Sequence, residues 1–466
     1  MDFLSRNFID DDKIWADIEA GEKASPADVR VMLNEAKDAQ HKILDGKIVA
    51  ALLHNKDKEL DEEIFAVAKS IKEQIYGNRI VLFAPLYVSN VCQNVCAYCG
   101  FKATNKDLKR KVLTHDEIKE EVSIIEDMGH KRILMVYGEH GYDPHYLVDD
   151  IQAAYSVKSG PNGEIRRINV NIAPMDTEDF KVLKTANIGT FQCFQETYNR
   201  EAYKKYHLLG KKANFEYRLN SQHRAVEAGI DDVAIGALFG LFDHRFEVLG
   251  MMQHARQLEK DFNGIGPHTI SFPRLEPAQN APISENPPYT FSDYVFKKIV
   301  AVTRIAVPYT GLILSTRETP QMRRELLELG ISQISGASTV YPGGYKAQKT
   351  NQVDEQQFFV QDARSVDDII CELAANGYIP SFCTACYRKG RTGDHFMGLA
   401  KTAFIKNHCT PNAILTFAEY LKYYASPKTK EVGMNLIADE LAKNTKKDEI
   451  TSRLDLIEQG EGDQYF

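Results

Sequence analysis

Apolar positions recur at intervals of three and four through residues 1–76, most clearly in LDEEIFAVAKSIKEQIYG, which ends at Gly77. That interval puts one apolar stripe on a helix, so residues 1–78 are expected to form an N-terminal helical segment. From residue 79 the pattern changes. Short apolar runs now alternate with amphipathic stretches. RIVLFAPLYVS (79–89), RILMVY (132–137), INVNIAP (168–174), TFQCFQ (190–195), DVAIGALFG (232–240), PHTISFP (267–273), GLILST (311–316) and ISQIS (331–335) read as strands. Between them THDEIKEEVSIIEDMG, TEDFKVLKTANIG, FEYRLNSQHRAVEAGI, RFEVLGMMQHARQLEKDF, YTFSDYVFKKIVAVTRIA and RETPQMRRELLELG read as helices. Eight strands alternating with helices predict the α/β class and a (β/α)8 TIM-type barrel over residues 79–336, near the usual barrel length of about 250 residues. An open doubly wound sheet is the competitor, but no G-x-G-x-x-G follows the first strand.

Beyond residue 336 the alternation stops. STVYPGGYKAQKTNQ reads as a loop, and SVDDIICELAANGYIPS as a helix that ends near a glycine and is stopped by Pro380. Residues 411–455 read as helical, with a polar tail to 466. Residues 337–466 are therefore expected to be a mainly helical C-terminal extension. There is no internal repeat, P-loop or H-E-x-x-H.

Composition narrows the class. Of 466 residues, 43% are hydrophobic and 26% charged, as in soluble globular proteins. The net charge of -8 argues against nucleic acid or an anionic membrane as partner. No apolar run approaches the roughly 18 residues of a membrane span. MDFLSRNFIDDDK is acidic and lacks the apolar core of a signal peptide, so a cytoplasmic location is expected.

Eight cysteines in a chain this long do not make a disulfide framework. Cys193 and Cys371 stand apart and are expected to be buried small hydrophobes. The other six form two triplets. Cys92, Cys96 and Cys99 make C-x3-C-x2-C directly after the first strand, at the rim where barrel active sites form. Three thiolates suit a 4Fe–4S cluster with one iron left without a protein ligand. A zinc site needs a fourth ligand, and no histidine lies within this motif. Cys383, Cys386 and Cys409 make C-x2-C-x22-C and again leave one iron open. Here zinc is a real alternative, completed by His395 or His408. YRKGRTGDHF, between those cysteines, is either a donor of hydrogen bonds to bound anions or a solvated loop.

C-x3-C-x2-C on a barrel's first loop resembles the radical S-adenosylmethionine (SAM) superfamily. The resemblance implies that the open iron chelates SAM and that the reduced cluster cleaves it to methionine and a 5′-deoxyadenosyl radical. Tyr98 matches the aromatic position near the adenine. MVYGEH resembles the glycine-glutamate segment that contacts the SAM amino group, here Gly138 and Glu139, although Tyr137 replaces a glycine found in many members. Glu196, in FQETYN, and Arg218 match positions that approach the ribose and carboxylate of SAM.

NVNIAPM, FQETYN, IGALFGL, PRLEPA and LSTRE resemble the tyrosine lyases of this superfamily over essentially the whole barrel. One class of these lyases supplies dehydroglycine for thiazole synthesis. The other matures iron–iron hydrogenases and carries the second triplet as a second 4Fe–4S cluster. The latter resemblance implies cleavage of the tyrosine Cα–Cβ bond to p-cresol and dehydroglycine. It then implies conversion of dehydroglycine to carbon monoxide and cyanide. These are assembled as an Fe(CO)2(CN) precursor on an additional mononuclear iron with cysteine as organic ligand. His268 resembles the histidine that holds this iron. Arg317, helped by Ser315, is the expected clamp for the tyrosine carboxylate, with Arg274 the competitor. Implied partners are a scaffold GTPase, a companion radical SAM maturase and an electron donor such as ferredoxin or flavodoxin.

Overall fold

The computed structural model describes residues 3–38, 42–350 and 356–466. Eight parallel strands close into a barrel: β1 (Arg79–Ser89), β2 (Arg132–Tyr137), β3 (Arg167–Asn171), β4 (Thr190–Gln192), β5 (Asp232–Gly236), β6 (Thr269–Ser271), β7 (Gly311–Leu314) and β8 (Gln333–Ser335). Closure runs from β8 back to β1 through Val81↔Gln333, Leu82↔Ile334 and Phe83↔Ser335. Every residue of β1 is buried, because it has a packed layer on both sides. Alternation sorts the two faces. Phe83, Pro85 and Tyr87 point to the lumen, while Ile80, Leu82, Ala84, Leu86 and Val88 pack against the helices.

β1 and β2 fill the apolar runs that predict them, but several other strands stop short. The run at 190–195 leaves the ladder after Gln192, and the run at 232–240 after Gly236. Their last residues become rim instead. Glu196 takes a left-handed φ of 71° and keeps only an isolated bridge to Ala237. FEYRLNSQHRAVEAGI is two helices, Phe215–Leu219 and Ser221–Glu227, broken at Asn220, whose side chain donates to the Arg6 and Glu216 carbonyls.

Four N-terminal helices, Asp11–Glu22, Pro26–Asp38, Gly46–His54 and Lys58–Tyr76, precede the barrel. After it, the segment expected to be a loop contains the helix Gly344–Lys349, whose first N–H groups at Tyr345 and Lys346 donate to Glu121 at 2.9 and 2.8 Å. The last two residues of that expected loop, 351 and 352, lie outside the described residues. Pro380 does not merely stop a helix. That helix ends at Ala375, and Ile379–Ser381 forms a ninth strand, β9, parallel to the start of β1. Pro380 is tolerated there because β9 pairs on one side only. Helices Lys406–Tyr423, Pro427–Lys443 and Lys447–Gln459 complete the extension.

The divisions at 78/79 and 336/337 are proposals about organisation, since one apolar core runs continuously from Ile9 to Ile457. A buried pair, Arg166–Glu419, ties the extension to the barrel with two hydrogen bonds of 2.7 and 2.5 Å. Cys193 is buried as expected of a small hydrophobe, whereas Cys371 is only half-buried on its helix.

Candidate active site

β1 ends at Ser89 and delivers the first triplet to the rim. Asn94 organises the turn between Cys92 and Cys96. Its N–H points to Cys92 Sγ at 3.5 Å, and its carbonyl accepts from Ala103 at 2.8 Å. Its side chain accepts from Lys212 N at 3.0 Å and donates to Glu139 at 3.0 Å. Val95–Cys96 pairs antiparallel with His207–Leu209. Burial pushes the thiols of Cys92, Cys96 and Cys99 up, so they persist as thiolates only against a cation. Such a buried set, with an N–H aimed at one sulfur, fits an iron–sulfur cluster.

Glu139 and Glu196 face Arg218 and Lys212. Arg218 donates to Glu139 at 2.9 Å, and Lys212 to Glu196 at 2.7 Å. Burial opposes the charge on Glu139, but Arg218 and Lys212 override it and hold the carboxyl below its usual range. Gly138 has no room for a side chain: a Cβ there would stand 2.4 Å from the Val91 carbonyl. Tyr137 does not crowd the site with its hydroxyl, which donates to Asp150 at 3.1 Å. Tyr98 donates to His207 Nε2 at 2.9 Å, because His207 Nδ1 is committed to the Tyr203 carbonyl at 2.8 Å.

These groups line one cavity of about 230 Å³ that reaches down to Phe83, Leu134 and Ile313 in the lumen. Ser315 and Arg317 line it too; Arg274 does not. Arg274 is engaged by the Glu318 carboxylate and, at 2.7 Å, by Asp293. Arg317 has no carboxylate ion pair among the described residues, and its guanidinium lies 3.4 Å from the centre of the Phe358 ring. Burial lowers its pKa. Sequence reasoning missed Asn94, Lys212, Tyr87 and Gln357. Tyr87 donates to Gln357 at 2.6 Å across the cavity wall.

The second triplet lies at the opposite end of the barrel. Cys383, at φ 49°, lies two residues past the end of β9, and Cys409 sits on the helix Lys406–Tyr423. Arg79, the first residue of β1, faces Cys409 and Cys383, which keep it charged against burial. A hydrogen bond from Cys386 pulls the Cys409 thiol down to about 7 despite burial, with help from Arg79. Arg132 and Arg167 begin β2 and β3 beside this group. Arg79 and Arg132 each keep Nε and Nη1 buried without a hydrogen-bond partner. Orphaned donors around thiols fit a sulfide-rich anionic cluster. His268 Nδ1 stands 3.3 Å from Asp232, and its ring lies 4.3 Å from that of Phe396, between Cys386 and Cys409 in sequence. His395 Nδ1 is committed to the Gly390 carbonyl at 3.0 Å. Among the described residues, no three His, Cys, Asp or Glu side chains gather as a single-ion site requires. A cluster does not require this, because each thiolate binds a different iron.

Residues 86–254 match the Radical SAM superfamily, and residues 271–379 match the Biotin and Thiamin Synthesis associated domain. A 2-iminoacetate synthase of Salmonella typhimurium is 32% identical over 359 residues, 76% of this chain and 89% of that protein. Its Escherichia coli counterpart is 31% identical over 68% of this chain and 81% of its own length. A crystal structure of HydG, a maturase of the [FeFe]-hydrogenase, superposes with TM-score 0.93 at 49% identity, covering 99% of this chain and 100% of that one. This chain belongs to the radical SAM superfamily, on the branch of HydG and 2-iminoacetate synthase. HydG from Carboxydothermus hydrogenoformans agrees, with TM-score 0.83 at 42% identity over 96% of this chain and 98% of that one. Membership makes the chain a radical SAM enzyme and implies a 4Fe–4S cluster and SAM. Among the described residues no helix is long and apolar enough to cross a membrane.

Proposed function

We propose that this chain is a tyrosine lyase of hydrogenase maturation. It cleaves the Cα–Cβ bond of L-tyrosine to p-cresol and dehydroglycine. At the second cysteine set it converts dehydroglycine to carbon monoxide and cyanide, the ligands of an Fe(CO)2(CN) precursor of the hydrogenase diiron centre. One observation carries the reading: a single barrel holds two cysteine triplets at its opposite ends, in a chain that matches HydG from end to end. The match to 2-iminoacetate synthase covers 76% of the chain.

Cys92, Cys96 and Cys99 would hold the cluster that, with SAM, supplies the oxidising radical. Glu139, Glu196 and Arg218 would orient SAM, with Tyr98 beside the adenine and the Gly138 backbone against the amino acid end. Arg317 brings to the cavity a guanidinium with no carboxylate ion pair among the described residues, lying on Phe358 and donating to the Arg274 carbonyl at 3.3 Å, and would be the clamp for the tyrosine carboxylate, with Ser315 beside it. Cys383, Cys386 and Cys409 would hold the second cluster, and His268 the additional iron that is cargo. A scaffold GTPase and a companion radical SAM maturase are the proposed recipients.

The test is an anaerobic turnover with tyrosine, SAM and a reductant, assayed together for p-cresol, cyanide and carbon monoxide. All three are expected. p-Cresol with dehydroglycine and no carbon monoxide would assign the chain to thiazole synthesis instead, the reading that its likeness to 2-iminoacetate synthase favours.

A further inference from the structure

The molecule is acidic overall, with net charge -8, yet two segments beside the first triplet are strongly basic. Residues 100–111 hold five Lys or Arg and one Asp; residues 200–212 hold five Lys or Arg and one Glu. Both are fastened to the cluster loop by Asn94, whose carbonyl takes the Ala103 N–H and whose side chain takes that of Lys212. The second segment is also zipped to Cys96 by the strand pair and by Ala97 N–H to the Tyr206 carbonyl at 2.9 Å.

Part of this charge serves the site or the fold. Lys212 binds Glu196, Arg200 pairs with Glu216, Lys111 with Glu117, and Arg110 donates to four backbone carbonyls. Lys204, Lys205 and Lys211 are exposed and form no ion pair among the described residues. Between them Leu208 and Leu209 stand 54% and 65% exposed, on the outer side of the strand that covers Cys96. A small apolar centre with a lysine rim has no role in the barrel's own packing. It is the composition of a weak, transient encounter surface.

We propose that this surface docks a small acidic one-electron carrier protein directly over the cluster. The inference rests on the reading of the first triplet as a redox cluster. One electron passes from the carrier's reduced flavin or iron–sulfur group to that cluster. The carrier is oxidised by one electron, the cluster is reduced by one, and no bond forms or breaks. The lysines raise the encounter rate with an anionic partner, while Leu208 and Leu209 exclude water at its centre.

The test compares the parent with Lys204→Glu/Lys205→Glu/Lys211→Glu and with the distant exposed control Lys428→Glu/Lys430→Glu. Reduced flavodoxin is the probe carrier and dithionite the small reductant. At low salt, carrier-driven 5′-deoxyadenosine formation should fall about tenfold or more in the triple variant and not in the control. The dithionite-driven rate should be unchanged in both. Binding of flavodoxin, measured by calorimetry across a salt series, should weaken in the triple variant and lose most of its salt dependence. Unchanged flavodoxin affinity in the triple variant overturns the proposal whatever the rates. So does binding of duplex DNA, but not flavodoxin, to the parent. Failure of the parent to cleave SAM with dithionite would instead overturn the cluster reading, a result the binding series distinguishes.

Discussion

The two ends of the barrel handle charge differently. At the rim the thiols come from one short loop, and the charges around them cancel: Glu139 and Glu196 against Arg218 and Lys212. At the base the thiols come from two segments, and the arginines that open β1, β2 and β3 crowd them; Asp232 pairs with Arg167, while the thiols themselves are the leading negative groups facing Arg79 and Arg132. A balanced set suits a zwitterion such as the amino acid end of SAM. A surplus of guanidinium donors suits anions, and one buried end of a barrel keeps such a surplus only if something anionic satisfies it.

The sharpest way to separate the ends is to remove thiols from one end at a time. Cys92→Ala, Cys96→Ala or Cys99→Ala should each abolish SAM cleavage, read as 5′-deoxyadenosine; wild-type formation by any of them would end the assignment. Cys383→Ser/Cys386→Ser should leave p-cresol release near the parent level and lose most carbon monoxide. Joint loss of p-cresol would mean that the two ends are not separable.

Weaker perturbations test the framework. Glu419→Ala removes two hydrogen bonds from the buried Arg166 guanidinium but leaves it Asp463 at 3.2 Å and Glu164 at 3.6 Å, so it should cost about 1.5–3 kcal/mol of stability in denaturant titration. SAM binding should persist where the fold does. Arg317→Lys keeps charge but loses the planar fork, so the KM for tyrosine should rise about tenfold. Arg274→Lys should affect stability instead, because its partners are Glu318 and Asp293. Last comes a pH effect. Burial pushes the Glu247 carboxyl up to about 8, although Thr197 and the Tyr198 N–H donate to it. The unfolded chain releases this proton near 4.5, so its contribution to stability is fullest below that pH and declines as pH rises to about 8. Glu247→Gln should flatten that slope in a series of thermal melts.

The barrel was legible because its strands are short apolar runs and its helices amphipathic. The rim thiols were legible because their ligand spacing is local. Lys212 and Asn94 were not, since a lysine after HLLG and an asparagine between cysteines acquire meaning only when the chain brings them to Glu139 and Glu196. β9 was missed because three residues containing a proline carry no strand signal of their own; pairing with β1 creates the strand. The base arginines did leave a trace. RIVLF, RILMV and RINVN each place arginine just ahead of an apolar run, a repeated signature of charge at one end of a barrel. That Arg274 is engaged by Glu318 and Asp293, which favours Arg317 as the proposed clamp, was not legible, because no spacing rule supplies those positions.

β1 gives the molecule a ruler. Its last residue launches the loop of Cys92, and its first three residues carry β9, from which Cys383 follows. Eleven residues at about 3.3 Å each span roughly 35 Å. The separation between the two thiol sets is therefore written into one fully buried strand. Removing a single residue from β1 would also invert which side chains face the lumen, so the distance and the lining of the passage are inherited together.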